Sequence, residues 1–222
     1  MADPGARRAC LAEISLPTFG EAVREPVLPE SIYEARLERL RARASAADVD
    51  VIVVYADREH SANLAYLTGF DPRFEEAILI VGEAADPAIL VGNECEALVA
   101  AAPLPMRPRL FQVLSLPSQP RDSSAPLSEL LAAKGIGRGS RVGLVGWKTY
   151  ADPGASDVPA YVVDELRLLV GSGGSVRNAT TLLIDPADGL RVTNEVEQLA
   201  AFEYAACRTS GGVRRLLFGL QP

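Results

Sequence analysis

Short apolar runs rich in β-branched residues alternate with amphipathic stretches along this chain. Ser31-Ile-Tyr-Glu34 is a capping-box pattern, which predicts the start of a helix that carries Ile32, Leu37, Leu40 and Ala44 on one side. The run from Val51 to Tyr55 that follows is typical of a strand buried on both faces. Within the next polar stretch, Gly69 is expected to end a short helical turn.

The same alternation continues through the middle of the chain. Strands are predicted at 77–81 and 87–91, close enough to form a hairpin, and then at Leu110–Ser115, Arg141–Gly146 and Val176–Ala179. Helices are predicted at Glu94–Ala102, Pro126–Lys134 and Asp157–Val170, with Pro159 in the first turn of the last one. Strands that alternate with helices around one hairpin predict an α/β three-layer domain with a mixed β-sheet.

The two ends of the chain differ from this middle. Residues 1–30 contain Pro4, Pro17, Pro26 and Pro29 and are expected to be an irregular arm. Asn194-x-x-Glu197 predicts the start of a long helix that could extend to about Leu217. Such an amphipathic helix has little of the chain left to pack against. We therefore expect an α/β domain over 31–186, and over 187–222 a linker and the first helix of a further domain.

Charge and cysteine content exclude several classes of protein. The formal net charge is −7 with no compensating basic stripe, which argues against nucleic-acid binding. No apolar run reaches the length that a membrane span needs. The three cysteines, Cys10, Cys95 and Cys207, form no Cys-x-x-Cys pair, so a zinc knuckle or a thioredoxin-type site is not predicted. Reduced thiols in a cytoplasmic protein are the simplest interpretation.

Candidate catalytic chemistry is sparse. His60 is the one histidine, and its acidic neighbours Asp57 and Glu59 are adjacent loop residues that rarely converge on one metal. No Gly-x-Ser-x-Gly element is present, and Gly171-Ser-Gly-Gly174 lacks the Lys-Ser/Thr end of a phosphate-binding loop. Glu75-Glu76 and Glu94/Glu96 form no specific acid–base pair. We therefore predict no catalytic residue, no metal site and no cofactor in this chain.

Two motifs carry a resemblance to a known family. The first combines Tyr33-x-x-Arg36-Leu, a β-branched strand and Asn63-Leu-Ala-Tyr-Leu-Thr-Gly-Phe70. The second is Asp188-Gly-Leu-Arg191 followed by Asn194-Glu-Val-Glu197 and an Ala-rich helix. Together they resemble the amino-terminal part of creatinase/prolidase/aminopeptidase P proteins, the M24 or pita-bread metallopeptidases. The resemblance spans about residues 31 to 218.

The resemblance implies a supporting role for this chain. It implies a mixed α/β unit of ribonuclease-H-like shape, followed by a catalytic domain that holds two divalent metals with two Asp, one His and two Glu. None of those ligands maps onto this chain, so the chain alone should be inactive. The family's amino-terminal domain helps build a homodimer, and its loops narrow the partner subunit's active site. The residues implied as gating candidates are Asp57, His60, Asn63, Tyr66, Arg73 and Phe74.

The gating candidates differ in the burial expected for each, and the sequence also leaves other functions open. Tyr66, Leu67 and Phe70 are better interpreted as core residues, whereas His60 and Arg73 are polar and lie on loops. One alternative is a free-standing α/β binding or dimerisation module. Another is a domain of a parent protein that has lost peptidase activity. The segments typical of a divergent subgroup are Asn93–Glu96, Gly146–Lys148 and Asp157–Pro159.

Overall fold

The computed structural model describes residues 15, 20, 23–83 and 86–220. Most of the predicted irregular arm, residues 1–14, 16–19 and 21–22, lies outside the described residues. The chain divides into two compact units, one of which is Leu28–Glu195 and the other 1–27 with 196–222. Each unit is described by itself.

Leu28–Glu195 is built around one six-stranded sheet. Its strands are β1 (Val51–Ala56), β2 (Ala77–Gly82), β3 (Ala88–Val91), β4 (Arg107–Leu110), β5 (Arg141–Val145) and β6 (Ser175–Asn178). They lie in the order β4-β3-β2-β1-β5-β6. Strand β2 is antiparallel to β1 and to β3, which is the predicted hairpin. The pairs β1–β5, β5–β6 and β3–β4 are parallel. The prediction of a mixed sheet is therefore confirmed.

Helices cover both faces of this sheet. They are α1 (Glu30–Ala46), α2 (Ala62–Thr68), α3 (Cys95–Leu98), α4 (Leu127–Ala132), α5 (Ala160–Val170) and α6 (Thr181–Ile184). Helices α1, α2, α3 and α6 contribute buried side chains to the core on one face. Helices α4 and α5 contribute to the core on the other face. The predicted three-layer α/β architecture is confirmed.

The central strand shows why the apolar run from Val51 forms a strand. All six residues of β1 are buried. Side chains alternate along a strand, so Ile52 and Val54 enter the core under α1, whereas Val53 and Tyr55 enter the core under α5. A strand covered on both faces needs apolar residues at every position, which is the pattern in the sequence.

The start of α1 differs from the prediction. The helix begins at Glu30, and Pro29 rather than Ser31 occupies the N-cap position, with no side-chain capping bond. Pro29 has an extended backbone (φ −70°, ψ 154°), and its carbonyl accepts the Ile32 N–H at 3.1 Å. Because Pro29 already sets the entry into the helix, the capping-box prediction at Ser31 is wrong.

The strand predicted at Leu110–Ser115 is also misplaced. Strand β4 ends at Leu110, and Gln112–Leu114 form a turn of 3₁₀ helix. Pairing stops because the partner strand β3 ends at Val91. The backbone N–H of Gln112 is donated to Ser124 Oγ at 3.0 Å instead of continuing the ladder. Non-local pairing thus overrides the local strand propensity.

Helix α5 begins later than predicted. It starts at Ala160, with Pro159 at the N-cap position rather than inside the first turn. Asp157, the predicted first residue, lies before the helix and accepts backbone N–H groups from Trp147 and Lys148. After α5, Gly171–Gly173 form a 3₁₀ turn. Helix α6 was not predicted.

The long helix predicted near the end of the sequence is present. Helix α7 (Val196–Gly219) has no buried residue, and its exposed apolar side chains include Val196, Leu199, Phe202, Val213 and Leu217. No helix in the described part of the chain is both long and apolar enough to span a membrane.

Candidate functional site

The carboxyl ends of β1 and β5 meet at one edge of the sheet, because these two strands are parallel neighbours. Asp57 follows β1, and Gly146, Trp147 and Lys148 follow β5. In open α/β sheets, ligands are commonly bound outside the carboxyl ends of parallel strands. Functional side chains are therefore expected at this edge.

Asp57 organises the loop that leaves β1. Its Oδ1 accepts the backbone N–H groups of Glu59 and His60, each at 2.8 Å. The same oxygen lies 3.0 Å from Nδ1 of His60. Although partial burial opposes it, the bond from His60 and the two backbone bonds hold the pKa of Asp57 below its ordinary value. Asp57 is thus a carboxylate that orients the imidazole of His60 and fixes its loop.

His60 stacks on Trp147, which the sequence analysis did not assign to the site. The two ring centroids are 3.8 Å apart and the ring planes differ by 15°. The His60 side chain remains 34% exposed. One nitrogen of the ring therefore faces Asp57 and one ring face is covered, while part of the imidazole remains open to solvent.

Asp157 holds the Trp147 side of this stack. Its Oδ2 accepts the N–H groups of Trp147 at 2.7 Å and Lys148 at 2.9 Å. Its Oδ1 is buried and has no hydrogen-bond partner among the described residues. A Cβ at Gly146 would lie 2.2 Å from that oxygen, so only glycine allows the carboxylate to approach the strand end. The loop after β5 is thereby fixed in place from its backbone.

Asn63, on α2, lies beneath the same edge. It is 4% exposed, and its Nδ2 donates to the Gly146 carbonyl at 2.6 Å. Its Oδ1 accepts from Arg191 Nη1 at 2.7 Å. Both ends of the amide are engaged with the protein itself, so Asn63 positions the loop after β5 rather than presenting a free polar group.

A second polar and aromatic cluster lies close by, between β1 and α5. The Tyr55 hydroxyl donates to Glu76 Oε2 at 2.8 Å, and the Tyr161 hydroxyl lies 3.4 Å from the same oxygen. Burial raises the pKa of both phenols, and the Glu76 carboxylate raises each pKa further. Both tyrosines are therefore neutral donors that hold Glu76 at the start of β2.

Arg73 and Phe74 lie on the turn that follows α2. Gly69 ends α2 in the left-handed conformation (φ +71°), as predicted. Arg73 also has a positive φ, +56°, and its N–H donates to Asp71 Oδ1 at 2.8 Å. Phe74 is 62% exposed. An exposed aromatic ring and an exposed guanidinium group on one tight turn are free to contact another molecule.

The remaining residues of the Asn63–Phe70 motif pack against the core. Leu67 and Phe70 are buried, which confirms the interpretation of these two as core residues. Tyr66 is half-buried against the same core, and its hydroxyl donates to the Leu190 carbonyl at 2.8 Å. The structure thus brings Asp57 and His60 into direct contact. Asn63 binds the Gly146 carbonyl, next to Trp147. Tyr66 lies against the segment that precedes α7.

Sequence reasoning missed Trp147, Asp157, Glu76 and Tyr161 as parts of this edge. One signal was available: Trp147 follows a predicted buried strand in the same way as Asp57 does. That signal becomes specific only when the two strands are known to be parallel neighbours.

The described residues do not fit a two-metal centre. Within 23–83 and 86–220, no group of three or more His, Cys, Asp or Glu side chains could hold a metal ion. Asp57 and His60 alone provide too few ligands, and Cys95 is buried with a thiol pKa raised to about 12, chiefly by burial. No catalytic step is therefore assigned to a metal held by this part of the chain.

Comparison with solved structures shows the same fold in two peptidases. The prolidase from Pyrococcus horikoshii OT3 is 10% identical with a TM-score of 0.56, and the match covers 84% of this chain and 43% of that chain. The dipeptidase PepE from Mycobacterium ulcerans is 17% identical with a TM-score of 0.51, covering 78% and 40% respectively. This chain therefore spans less than half the length of either protein.

A domain structure also matches along nearly its whole length. The N-terminal domain of the cytoplasmic peptidase PepQ from Mycobacterium tuberculosis H37Rv is 16% identical with a TM-score of 0.45, and the match covers 66% of this chain and 94% of that one. No curated protein sequence matches the chain. The sequence profile of the creatinase/prolidase N-terminal domain matches residues 36–151, more than half of the chain. The protein therefore belongs to the creatinase/prolidase N-terminal domain family.

Proposed function

We propose that this chain is the non-catalytic N-terminal domain of an Xaa-Pro peptidase or creatinase-like metallohydrolase, and that it is inactive alone. The match over residues 36–151 carries this proposal. The two divalent metals would be held by a catalytic domain encoded after Pro222, in a cytoplasmic parent protein.

We further propose that the parent is a homodimer in which this domain narrows the partner subunit's active site. His60, Arg73 and Phe74 are the side chains that would contact substrate, because each is on a loop and each has exposed surface. Asp57 and Asn63 would act indirectly. The first orients His60, and the second holds the loop that carries Trp147.

One set of enzyme assays tests both parts of this proposal. The 222-residue chain and the full product of the reading frame are each assayed with Xaa-Pro dipeptides in the presence of Mn²⁺. We expect hydrolysis only by the full product. Phe74→Ala and His60→Ala in the full product should raise KM several-fold with a smaller change in kcat, because they remove contacts to substrate and leave the metal centre intact. Sedimentation should give a dimer.

A matched control separates gating from a general surface effect. Leu168, near the end of α5, is 77% exposed and is not one of the proposed gating residues, so Leu168→Ala should leave KM and kcat unchanged. Hydrolysis by the 222-residue chain would contradict the proposed inactivity. A downstream frame without an Asp/Asp/His/Glu/Glu set would remove the catalytic partner and favour the free-standing module.

A further inference from the structure

The segment before α7, residues 185–195, is attached to α1 and α2 at several points. We refer to it as the linker segment. It opens with a tight turn in which the Gly189 N–H donates to the Asp185 carbonyl at 2.8 Å. A Cβ at Gly189 would lie 2.5 Å from the Asp185 nitrogen, so this turn requires glycine. Leu190 then packs against the core on the α1 side.

Glu195 ends the linker segment with an ion pair to a buried arginine. Arg36 is 1% exposed, and its Nε and Nη2 contact the two Glu195 oxygens at 3.2 and 2.6 Å. Arg39 adds a contact of 2.6 Å. The hydrogen bonds from Arg36 are the main reason why the pKa of Glu195 falls to about 2. Glu195 is therefore fully ionised near neutral pH and is held from two sides.

Two residues of helix α2, Tyr66 and Asn63, contact Arg36 and the linker segment. Arg36 Nη1 donates to the Tyr66 carbonyl at 2.7 Å, and its guanidinium group lies 4.1 Å from the centre of the Tyr66 ring. Arg191 of the linker segment donates to Asn63, and the other end of the Asn63 amide donates to Gly146. Gly146 is bonded to Trp147, whose ring stacks on His60.

We propose that α2 couples the linker segment to the His60–Trp147 stack. In this arrangement, Arg191 sets the orientation of the Asn63 amide, and the amide sets the position of the backbone just before Trp147. Asp157 holds the same loop through the N–H groups of Trp147 and Lys148. Release of the linker segment removes the support that Asn63 gives to Gly146, and therefore loosens the stack. This deepens the proposed gating role, since His60 is one of the proposed gates. The coupling is measured on the His60–Trp147 stack itself and not on peptidase activity. A failure of the coupling can therefore be distinguished from a failure of the gating proposal.

Trp147 is the sole tryptophan in the sequence, so its fluorescence reports on the stack alone. His60→Gln in the 222-residue chain first establishes the emission of an unstacked Trp147. Arg191→Met should then shift the emission towards that of His60→Gln and increase quenching by acrylamide. Hydrogen exchange should show loss of protection in the linker segment and also at residues 146–148.

Arg43→Met is the matched control. Arg43 pairs with Asp188 of the same segment at 2.6 Å, but Asp188 is 70% exposed and lies in the opening turn. This variant should loosen that turn and leave the emission of Trp147 unchanged. If Arg191→Met loosens the linker segment while Trp147 keeps its wild-type emission and quenching, the coupling is overturned.

Asn63→Asp tests the contact between the Asn63 amide and the Gly146 carbonyl. It also replaces Arg191→Met as the test if that variant does not fold. An aspartate keeps an acceptor facing Arg191 but has no N–H for the Gly146 carbonyl. We expect a protected linker segment together with a loosened Trp147. Unchanged emission in this variant would show that the amide does not hold the stack.

Discussion

Arg36 is a cation with almost no contact with water, and it forms an ion pair with Glu195. Removing one partner of a buried ion pair leaves the other charge desolvated and uncompensated, which costs more than the pair itself contributes. Tyr33 and Tyr66 place aromatic rings within 5.3 and 4.1 Å of the guanidinium group, which offsets part of that cost through cation–π attraction. The Tyr33-x-x-Arg36 motif therefore binds the linker segment.

Glu195→Gln should therefore lower the free energy of unfolding by about 2–3 kcal/mol at pH 7. The folded-state pKa of Glu195 is about 2, below its ordinary value of 4.5, so its contribution is present above about pH 4.5 and is lost as the pH falls to about 2. Urea denaturation of the wild type and Glu195→Gln between pH 7 and pH 2 should give curves that converge at the acidic end.

Glu197→Gln is the control, because Glu197 is exposed in the first turn of α7. Asp50 and Asp57, whose pKa values are also lowered, contribute equally to all three proteins. A constant difference between wild type and Glu195→Gln down to pH 2 would mean that the ion pair is not the source of the stability.

Elements whose boundaries depend on local chemistry could be predicted from the sequence, whereas those set by distant partners could not. The β-branched run of β1 and the glycine that ends α2 are local signals, and both predictions hold. Asp157 looks like a helix start until its carboxylate is found bonded to the loop after β5. The His60–Trp147 stack likewise joins two loops that are far apart in sequence, and only the strand order brings them together.

Two glycines allow the end of α2 to be tested against a matched position. Gly69 and Gly135 both have positive φ, +71° and +83°. A Cβ at Gly69 would lie 2.6 Å from Pro103 Cδ, whereas no atom in the described part of the chain lies within 4 Å of one at Gly135. Gly135→Ala should cost about 1 kcal/mol from backbone strain alone. Gly69→Ala should cost roughly 2–4 kcal/mol, because overpacking is added to the strain. Thermal denaturation of both variants measures the difference, and equal costs would contradict the close packing at Gly69.

At the scale of the whole molecule, the compact unit Leu28–Glu195 ends at the residue that neutralises Arg36, and α7 begins with the next one. No residue of α7 is buried. The sequence predicts a domain boundary at residue 186 instead. The two boundaries differ in whether Leu190, Arg191 and Glu195 belong to the folded domain.

Two truncated chains distinguish these boundaries. A chain that ends at Val196 keeps Glu195 and should melt close to the 222-residue chain. A chain that ends at Thr193 loses the Arg36–Glu195 ion pair and should melt roughly 5–10 °C lower, the shift that a loss of 2–3 kcal/mol produces in a domain of this size. If the domain ends at residue 186, the two truncated chains melt alike. If the chain ending at Val196 is itself strongly destabilised, α7 is part of what holds the domain together, and the free-standing module becomes the better description.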